Sequence, residues 1–432
     1  MNSLWKKDIE RPDFRSFSGT KKTDVLIVGG GAAGILCAYK MHGAGLDCTL
    51  LEADRICGKN TENTTAKITL LHGLMYSKLI KRVGKEKAEL YLSAQKNAFD
   101  EYERLATAVN CDYEKKDSFV YSLSSREKIE NEISALNCLG VKAEFSEASK
   151  LPFKSLGAVR VRGEAQFHPL KFLYNIAKDL PIYEHSKVIG LKPGRAITNH
   201  GEITYKKLVI ATHFPILNKH GLYPLKLFQH RSYVIALDGV TPPPGMYVDE
   251  SDTGLSLRSY GNLLLLGGGG HRTGKGGGCW QELEDFAEKH YPGANVVAKW
   301  AAQDCMTVDR VPYIGRYSKS TPDIFVATGF NKWGMTNSMV AADILSDLIL
   351  GKSNPYATVF SPSRSMLYPQ LLVNAFESVV GLITPTSPRC PHLGCALKYN
   401  SAEHSWDCPC HGSRFSESGE LIDNPATDDK RM

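Results

Sequence analysis

TDVLIVGGGAAG (residues 23–34) is the stretch that decides the architecture. Thr23–Val28 is a short apolar run that reads as a buried strand. Glycines follow, then helical spacing from about Ala32 to Ala44, then LDCTLLE (46–52), a second strand. Strand, glycine turn, helix and strand in that order start a parallel sheet. Gly29, Gly31 and Gly34 fit G-x-G-x-x-G in the context the motif requires, directly after a strand and opening a helix. Gly29 allows the tight turn, Gly31 lets the backbone approach a pyrophosphate, and Gly34 lets helix and strand pack closely. The helix N-terminus offers free N–H groups to phosphate. Glu52 closes the second strand eighteen residues after Gly34, and its carboxylate suits a ribose diol. Gly29, Gly31, Ala33, Gly34 and Glu52 are therefore the candidate dinucleotide contacts.

Working outward, residues 1–22 read as an irregular lead-in and residues 78–108 as helix. A strand is expected at Ser118–Ser122, and helices near Arg126–Leu136 and Phe167–Lys178. Ile203–Ala211 and Ile324–Thr328 read as buried strands, the latter feeding a glycine-bearing turn and a helix over Thr336–Leu350. Between Arg231 and Leu266 short strands alternate with Pro and Gly turns, which predicts a separate mixed sheet. The 432 residues exceed one ordinary core. The net charge of +6 comes from mixed basic and acidic residues without a Lys/Arg block, so nucleic acid is not an expected partner. No apolar run follows the N-terminal lysines, and no stretch reaches the length of a transmembrane segment. A cytoplasmic location is the expectation.

TENTTAKITLLHG (61–73), EAQFHPLKFL (164–173), LVIATHFP (208–215), DRVPYIG (309–315) and VATGFNKWGMTNS (326–338) resemble the glycine oxidase/D-amino-acid oxidase-like FAD-dependent oxidoreductases. The resemblance spans about residues 20–352. It implies an α/β Rossmann-type FAD domain that is discontinuous (1–90, 150–222 and 305–352) and an α+β substrate domain (91–149 and 223–304). It implies FAD as cofactor, with Val188 near the adenine, Ala211 and Thr212 at the end of a strand, and Thr64, Thr65, Ala66 and Lys67 on one side of the flavin ring. Gly329, Phe330, Gly334, Met335 and Thr336 would lie on the other. The remaining glycine cluster, LLLLGGGGHRTGKGGG (263–278), gives no second fingerprint in any register, so a nicotinamide site is not expected. In the amino-acid oxidases of this family an arginine just ahead of P-Y-I-G grips the substrate carboxylate; here that place falls on Asp304. An acid suits an ammonium group instead, which points to an amine or a modified amino acid. Arg258 or Arg272 could replace the lost charge. His72, His213, His271 and Tyr247 are the candidates for a base, with structural roles as the competing reading. Asp304, Arg258, Tyr247 and His271 make up the candidate catalytic set, and Cys305 is a candidate for a covalent flavin link.

Seven of the eleven cysteines are scattered, while Cys390, Cys395, Cys408 and Cys410 fall within 21 residues. They form two boxes, CPHLGC (390–395) and CPCHGS (408–413), separated by a stretch long enough for a short hairpin. Each supplies one thiolate and one imidazole, the ligand set of a Rieske [2Fe–2S] centre, and the pair resembles the Rieske family. Cys390, His392, Cys408 and His411 are the candidate iron ligands; a zinc site would use the same residues. The resemblance further implies a Cys395–Cys410 disulfide and a small all-β subdomain over 385–432; residues 353–384 read as a linker that includes an apolar stretch, LLVNAFESVVGLI (371–383), for which a helix is one reading. Ser413 stands where that family donates a hydrogen bond to cluster sulfur. Phe415 stands where a tyrosine would donate a second, so a lowered potential is expected. Asn424-Pro425-Ala426 resembles the loop that covers the cluster. Little room remains for the strands that ordinarily precede the first box, so the tail is expected to lean on the flavin domain.

Flavin and cluster together make a converter from two-electron to one-electron steps. The leading expectation is oxidation of an amine C–N bond, with electrons leaving through the cluster to a one-electron acceptor. The alternative is an electron-transfer protein that has no small-molecule amine substrate. A Rieske oxygenase would need two histidines and a carboxylate for a mononuclear iron. No H-x-x-x-x-H occurs.

Overall fold

The computed structural model describes residues 3–217, 221–385 and 388–430. Gly19–Val28 is the centre of an eight-stranded sheet. It pairs in parallel with Cys48–Leu51 on one side and Gly201–Ile210 on the other. Ile182–Tyr183 extends one edge; Thr321–Thr328, then Tyr313–Ser318, extend the other, and a Val188–Lys192/Arg195–Thr198 hairpin attaches to Gly201–Ile210. Cys48–Leu51 is buried throughout, as expected of an inner parallel strand. Helix Ala32–Gly43 packs beside helix Gly334–Ile349, so the glycine turn near the N-terminus and the turn near residue 330 meet although they are far apart in sequence.

A nine-stranded, largely antiparallel sheet lies beyond. Its order runs Asn295–Thr307, Leu227–Asp238, Leu263–Arg272, Ser256–Tyr260, Met246–Asp249, Glu114–Tyr121, Ala158–Gln166 and Lys67–Ile68, with Ala143–Ser146 paired to Ala158–Gln166. Side chains alternate across Leu227–Asp238. Tyr233, Ile235 and Leu237 pack in the same cluster as Leu283 of helix Cys279–His290, while Ser232 and Val234 face a large cavity. Four short antiparallel strands, Lys398–Asn400, Ser405–Asp407, Arg414–Ser416 and Leu421–Asp423, make the third sheet.

Three boundaries differ from expectation. Lys67–Ile68 and Ala158–Gln166 lie in the second sheet, not with the dinucleotide-type sheet, because their partners come from the substrate side. The helix expected over 78–108 is two helices, Tyr76–Val83 and Lys85–Ala106, broken at Gly84, whose φ of 84° ends the first. The stretch expected as a linker holds helix Ala357–Phe360, which was not expected, and helix Pro369–Ile383, which covers the apolar segment read as open to helix and packs against the cysteine boxes.

Candidate active site and cluster site

The glycine turn works by leaving side chains out. Gly29 has φ 109°, and a Cβ there would stand 2.5 Å from the Ala211 carbonyl oxygen. A Cβ on Gly34 would overlap the Gly29 carbonyl oxygen. Glu52 accepts hydrogen bonds from the N–H of Gly30 (2.6 Å) and Asp54 (2.9 Å), which fixes the second strand to the turn; burial raises its carboxyl. Glu184, fully buried, accepts from Ile56 N–H (2.6 Å) and pairs with Arg55 at 3.0 Å, holding the next loop.

These elements open onto a cavity of about 800 Å³. Of the expected cofactor contacts, Gly29, Gly31, Ala33, Glu52, Thr64, Thr65, Lys67, Val188, Ala211, Thr212, Gly329, Phe330, Gly334 and Met335 line it. Gly34, Ala66 and Thr336 stand behind the wall. Thr336 Oγ1 meets His72 Nε2 at 3.0 Å, and Ala66 holds a left-handed turn at φ 52°. That turn is buttressed by the lead-in: Trp5, fully buried, donates its indole N–H to Thr64 O at 2.6 Å. Nothing in the charged, irregular character of residues 1–22 signalled this role.

Only one of the four candidate catalytic residues faces the cavity. Asp304 lies on its wall, with Ser232 Oγ donating to it at 3.3 Å, and burial raises its carboxyl. Arg258 does not line the cavity: its Nη1 donates to the carbonyls of Thr65 (2.5 Å) and Ala66 (2.7 Å) and its Nε to that of Ser259 (3.1 Å), holding the left-handed turn, while its buried Nη2 has no partner among the described residues. Tyr247 stacks on Phe119 at 4.4 Å inside the second sheet. His271 bridges Arg272 O and the Tyr233 hydroxyl. Strand alternation aims Tyr247 and His271 away from the cavity, whose wall takes their neighbours Val248 and Gly270, and none of the three lines it. Arg272 is likewise committed, to the carbonyls of Pro409 and Cys410. Asp309 pairs with Arg364 at 2.7 Å. His72 and His213 do line the cavity; burial pushes His72 down to about 3 and also lowers His213. Burial pushes the Cys305 thiol up to about 12, which leaves it a poor nucleophile. Two basic groups of the wall escaped the sequence reading of the catalytic set. Lys67, its Nζ 2.9 Å from Thr65 Oγ1, is pushed down to about 7 by burial and then by Arg258. Lys332 projects from a turn whose Asn331 and Lys332 are both left-handed, and its ammonium donates to Asp252 O at 2.7 Å.

The cysteine boxes converge at the other end. Cys390 and Cys408 are buried side by side, and the Cys408 thiol, with the Ser413 hydroxyl, holds Cys390 down at about 7. The His392 and His411 rings are 5.1 Å apart at right angles. Both nitrogens of His392 and Nδ1 of His411 are buried without a hydrogen-bond partner among the described residues. Burial holds both imidazoles neutral, at about 4 and about 3. Two buried thiols side by side with two neutral imidazoles, three of whose four ring nitrogens have no protein partner, are what a Rieske cluster requires, so the residues fit the group. Cys395 and Cys410 form the disulfide beside them. Phe415, fully buried, packs with these cysteines and has no hydroxyl to offer the cluster.

The two sites share a wall. Leu421, Asp423, Asn424, Ala426 and Thr427 of the tail line the same cavity as the glycine turn. Asn424 Nδ2 donates to Thr212 O (2.6 Å) and Phe214 O (2.9 Å), and the Phe214 ring meets His392 edge-on at 6.2 Å. Gln303 Nε2 donates to Gly412 O (2.9 Å), and a Cβ on Gly412 would overlap Gln229. Arg231, 4% exposed, pairs bidentately with Glu403, and Arg414 joins Glu403, Asp407 and Asp423 in the same buried network. The tail therefore leans on the larger body through directed contacts.

A dinucleotide cradle facing an antiparallel substrate sheet, joined to a Cys2His2 cluster clamp, defines an FAD-dependent oxidoreductase that carries a [2Fe–2S] Rieske centre. The chain belongs to the FAD dependent oxidoreductase (DAO) family, matched over residues 24–348, and its tail matches the Rieske [2Fe-2S] domain over residues 370–431. YhfW of Bacillus subtilis (strain 168), provisionally named a Rieske 2Fe-2S iron-sulfur protein, is 31% identical over 98% of this chain and 96% of its own. The fold is also that of glycine oxidase from Geobacillus kaustophilus (TM-score 0.66, 17% identity, 80% of this chain and 99% of that one). L-proline dehydrogenase from P. horikoshii is similar as well (TM-score 0.67, 16% identity, 80% of this chain and 98% of that one). Among the described residues no helix is long and apolar enough to cross a membrane.

Proposed function

We propose that this oxidoreductase oxidises the C–N bond of an amine or modified amino acid and passes the electrons on singly to an acceptor. FAD, when bound, supplies a two-electron acceptor and the [2Fe–2S] cluster a one-electron carrier. The observation that carries the reading is Asp304 on the cavity wall, presented by the second sheet opposite the glycine cradle. A buried carboxylate there favours a cationic substrate group, because pairing offsets the cost of its own burial. The solved relatives named glycine oxidase and L-proline dehydrogenase act on substrates of the amino-acid class, which agrees with an amine-bearing ligand. Lys67 serves the same reaction: with its ordinary value lowered to about 7, a large fraction of its amine is free at neutral pH and can take a proton from a substrate ammonium. Gly29, Gly31, Ala33 and Glu52 hold the dinucleotide; Thr64, Thr65, Gly329, Phe330 and Met335 border the flavin ring. Cys390, His392, Cys408 and His411 hold the cluster, and Asn424 and Phe214 fix its distance from the cavity.

Anaerobic mixing of the loaded protein with a panel of primary, secondary and N-substituted amino compounds tests the reading. Bleaching of the flavin by an amine, followed by cluster reduction, is expected, and Asp304→Asn should raise the half-saturating amine concentration at least about tenfold. If no amine or amino acid bleaches the flavin while a reduced electron carrier does, the oxidase reading fails and an electron-transfer protein remains.

A further inference from the structure

Helix Pro369–Ile383 is built inside out. In water an amphipathic helix turns its apolar stripe to the protein and its polar residues outward. Here the polar residues face in. Asn374, 1% exposed, accepts from Arg272 Nη1 (2.9 Å) and donates to Leu225 O (2.9 Å). Ser378 faces His411 Nε2 at 3.5 Å, Glu377 pairs with Lys275 at 2.7 Å, and Gly381 sits so close on the Cys395–Cys410 disulfide that a Cβ would strike Cys410 Sγ. The apolar residues face out: Leu372, Phe376, Val379 and Ile383 are 73, 66, 56 and 73% exposed. Their spacing of four, three and four places them on one stripe. Leu367 ahead of the helix and Leu393 beside the ligand His392 are exposed too. Together they open on the order of several hundred Å² of apolar surface, a size that marks an interaction site.

We infer that this stripe is a membrane-surface anchor, lying in the headgroup region of an anionic bilayer. Three observations select that occupant. The helix has 15 residues, about 22 Å at the usual rise, too short for a ~30 Å hydrocarbon core but suited to lying along its surface. Its single charged residue, Glu377, is turned inward and neutralised by Lys275, so the stripe carries no acid to repel lipid phosphate. At its C-terminal end the exposed Arg389 guanidinium is held over the carbonyls of Leu382, Thr384 and Gly394, a cation at the rim of the apolar face. An apolar face with a cationic rim complements anionic lipid. The stripe lies across the helix from the disulfide and His411, so binding would bring the cluster's covered side toward the bilayer. Joined to the electron-outlet reading above, that favours an acceptor dissolved in the membrane, but the binding itself does not depend on that reading.

Flotation of the FAD- and cluster-loaded protein with vesicles tests it. One vesicle set is phosphatidylcholine alone; the other is about one-third phosphatidylglycerol. Association with the anionic vesicles, about fivefold stronger than with the neutral ones and weakened by salt, is expected. Phe376→Glu with Ile383→Glu should abolish it while flavin and cluster absorbance and amine-driven bleaching stay unchanged, since both side chains point outward. In Phe376→Trp, indole emission should shift to the blue on adding vesicles. The inference is overturned if neither vesicle binds, if the double variant binds like the parent, or if lipid-free sedimentation shows a dimer that Phe376→Glu splits, which would assign the stripe to a second copy of the chain. Loss of bleaching by every amine with vesicle binding intact would instead overturn the amine reading and leave the anchor standing.

Discussion

The flavin cradle and the cluster clamp solve opposite problems. The cradle is made by subtraction: Gly29 and Gly34 sit where any Cβ would strike backbone, and its other walls come from segments up to about four hundred residues away. The clamp is made by addition, with four donor side chains drawn from 22 residues of chain, both nitrogens of His392 and Nδ1 of His411 among them left without a protein partner. The cradle depends on the whole fold and little on side-chain chemistry. The clamp depends on a few side chains and, for its support, on the surface it leans against.

The largest test of this contrast pairs Gly34→Val with His411→Ala. The valine has no space beside the Gly29 carbonyl, so near-complete loss of FAD is expected with the cluster's electron paramagnetic resonance signal retained. His411→Ala removes one of the four proposed iron ligands, so loss of iron and of that signal is expected with the flavin absorbance kept. Loss of both cofactors in both variants would erase the distinction. Next, Arg231→Met leaves Glu403 buried without its bidentate partner and should cost about 3–5 kcal/mol, read as a lowered melting temperature and early proteolysis of the tail. The same network sets an acid limit. Burial would raise Glu403 and Asp423, yet Arg231 and Arg414 hold both below the ordinary carboxylate range. Their contribution is therefore full above the unfolded-state values and is lost as pH falls through the lower folded ones, so the tail should loosen only in strong acid. A smaller effect is expected of Phe415→Tyr, which offers the cluster one more hydroxyl donor and should raise its midpoint potential by tens of millivolts, on the order of one hydrogen bond. The most gradual is a slope, spread over several pH units. Lys67 titrates near 7 in the folded protein, against 10.5 ordinarily. Across that window the unfolded chain carries a proton the folded one lacks, so stability rises with pH, and Lys67→Met should flatten the rise in urea titrations.

Both cofactor ends were legible in the sequence for reasons that follow from this contrast. Glycine spacing after a strand reports backbone geometry directly, and C-x-H with C-x-x-H reports a ligand set directly. The substrate wall is neither. Ser232, Asp304 and Lys332 come together only through strand pairing and a left-handed turn, and the facing of Arg258, Tyr247 and His271 depends on a register that apolar patterning of isolated strands does not specify. Asp304 was found by laying one short motif on another. Trp5 was missed because a single aromatic among charged residues has no period. The facing of the Pro369–Ile383 helix was not legible, because hydrophobicity reports the presence of a stripe and says nothing of which way it faces.

The Asn424 clamp on Thr212 and Phe214 has a kinetic consequence. Because the tail forms part of the cavity wall, any traffic between the two sites is unimolecular. Its rate should be the same in dilute and concentrated solution, leaving the encounters with substrate and with an outside acceptor as the steps that sense concentration.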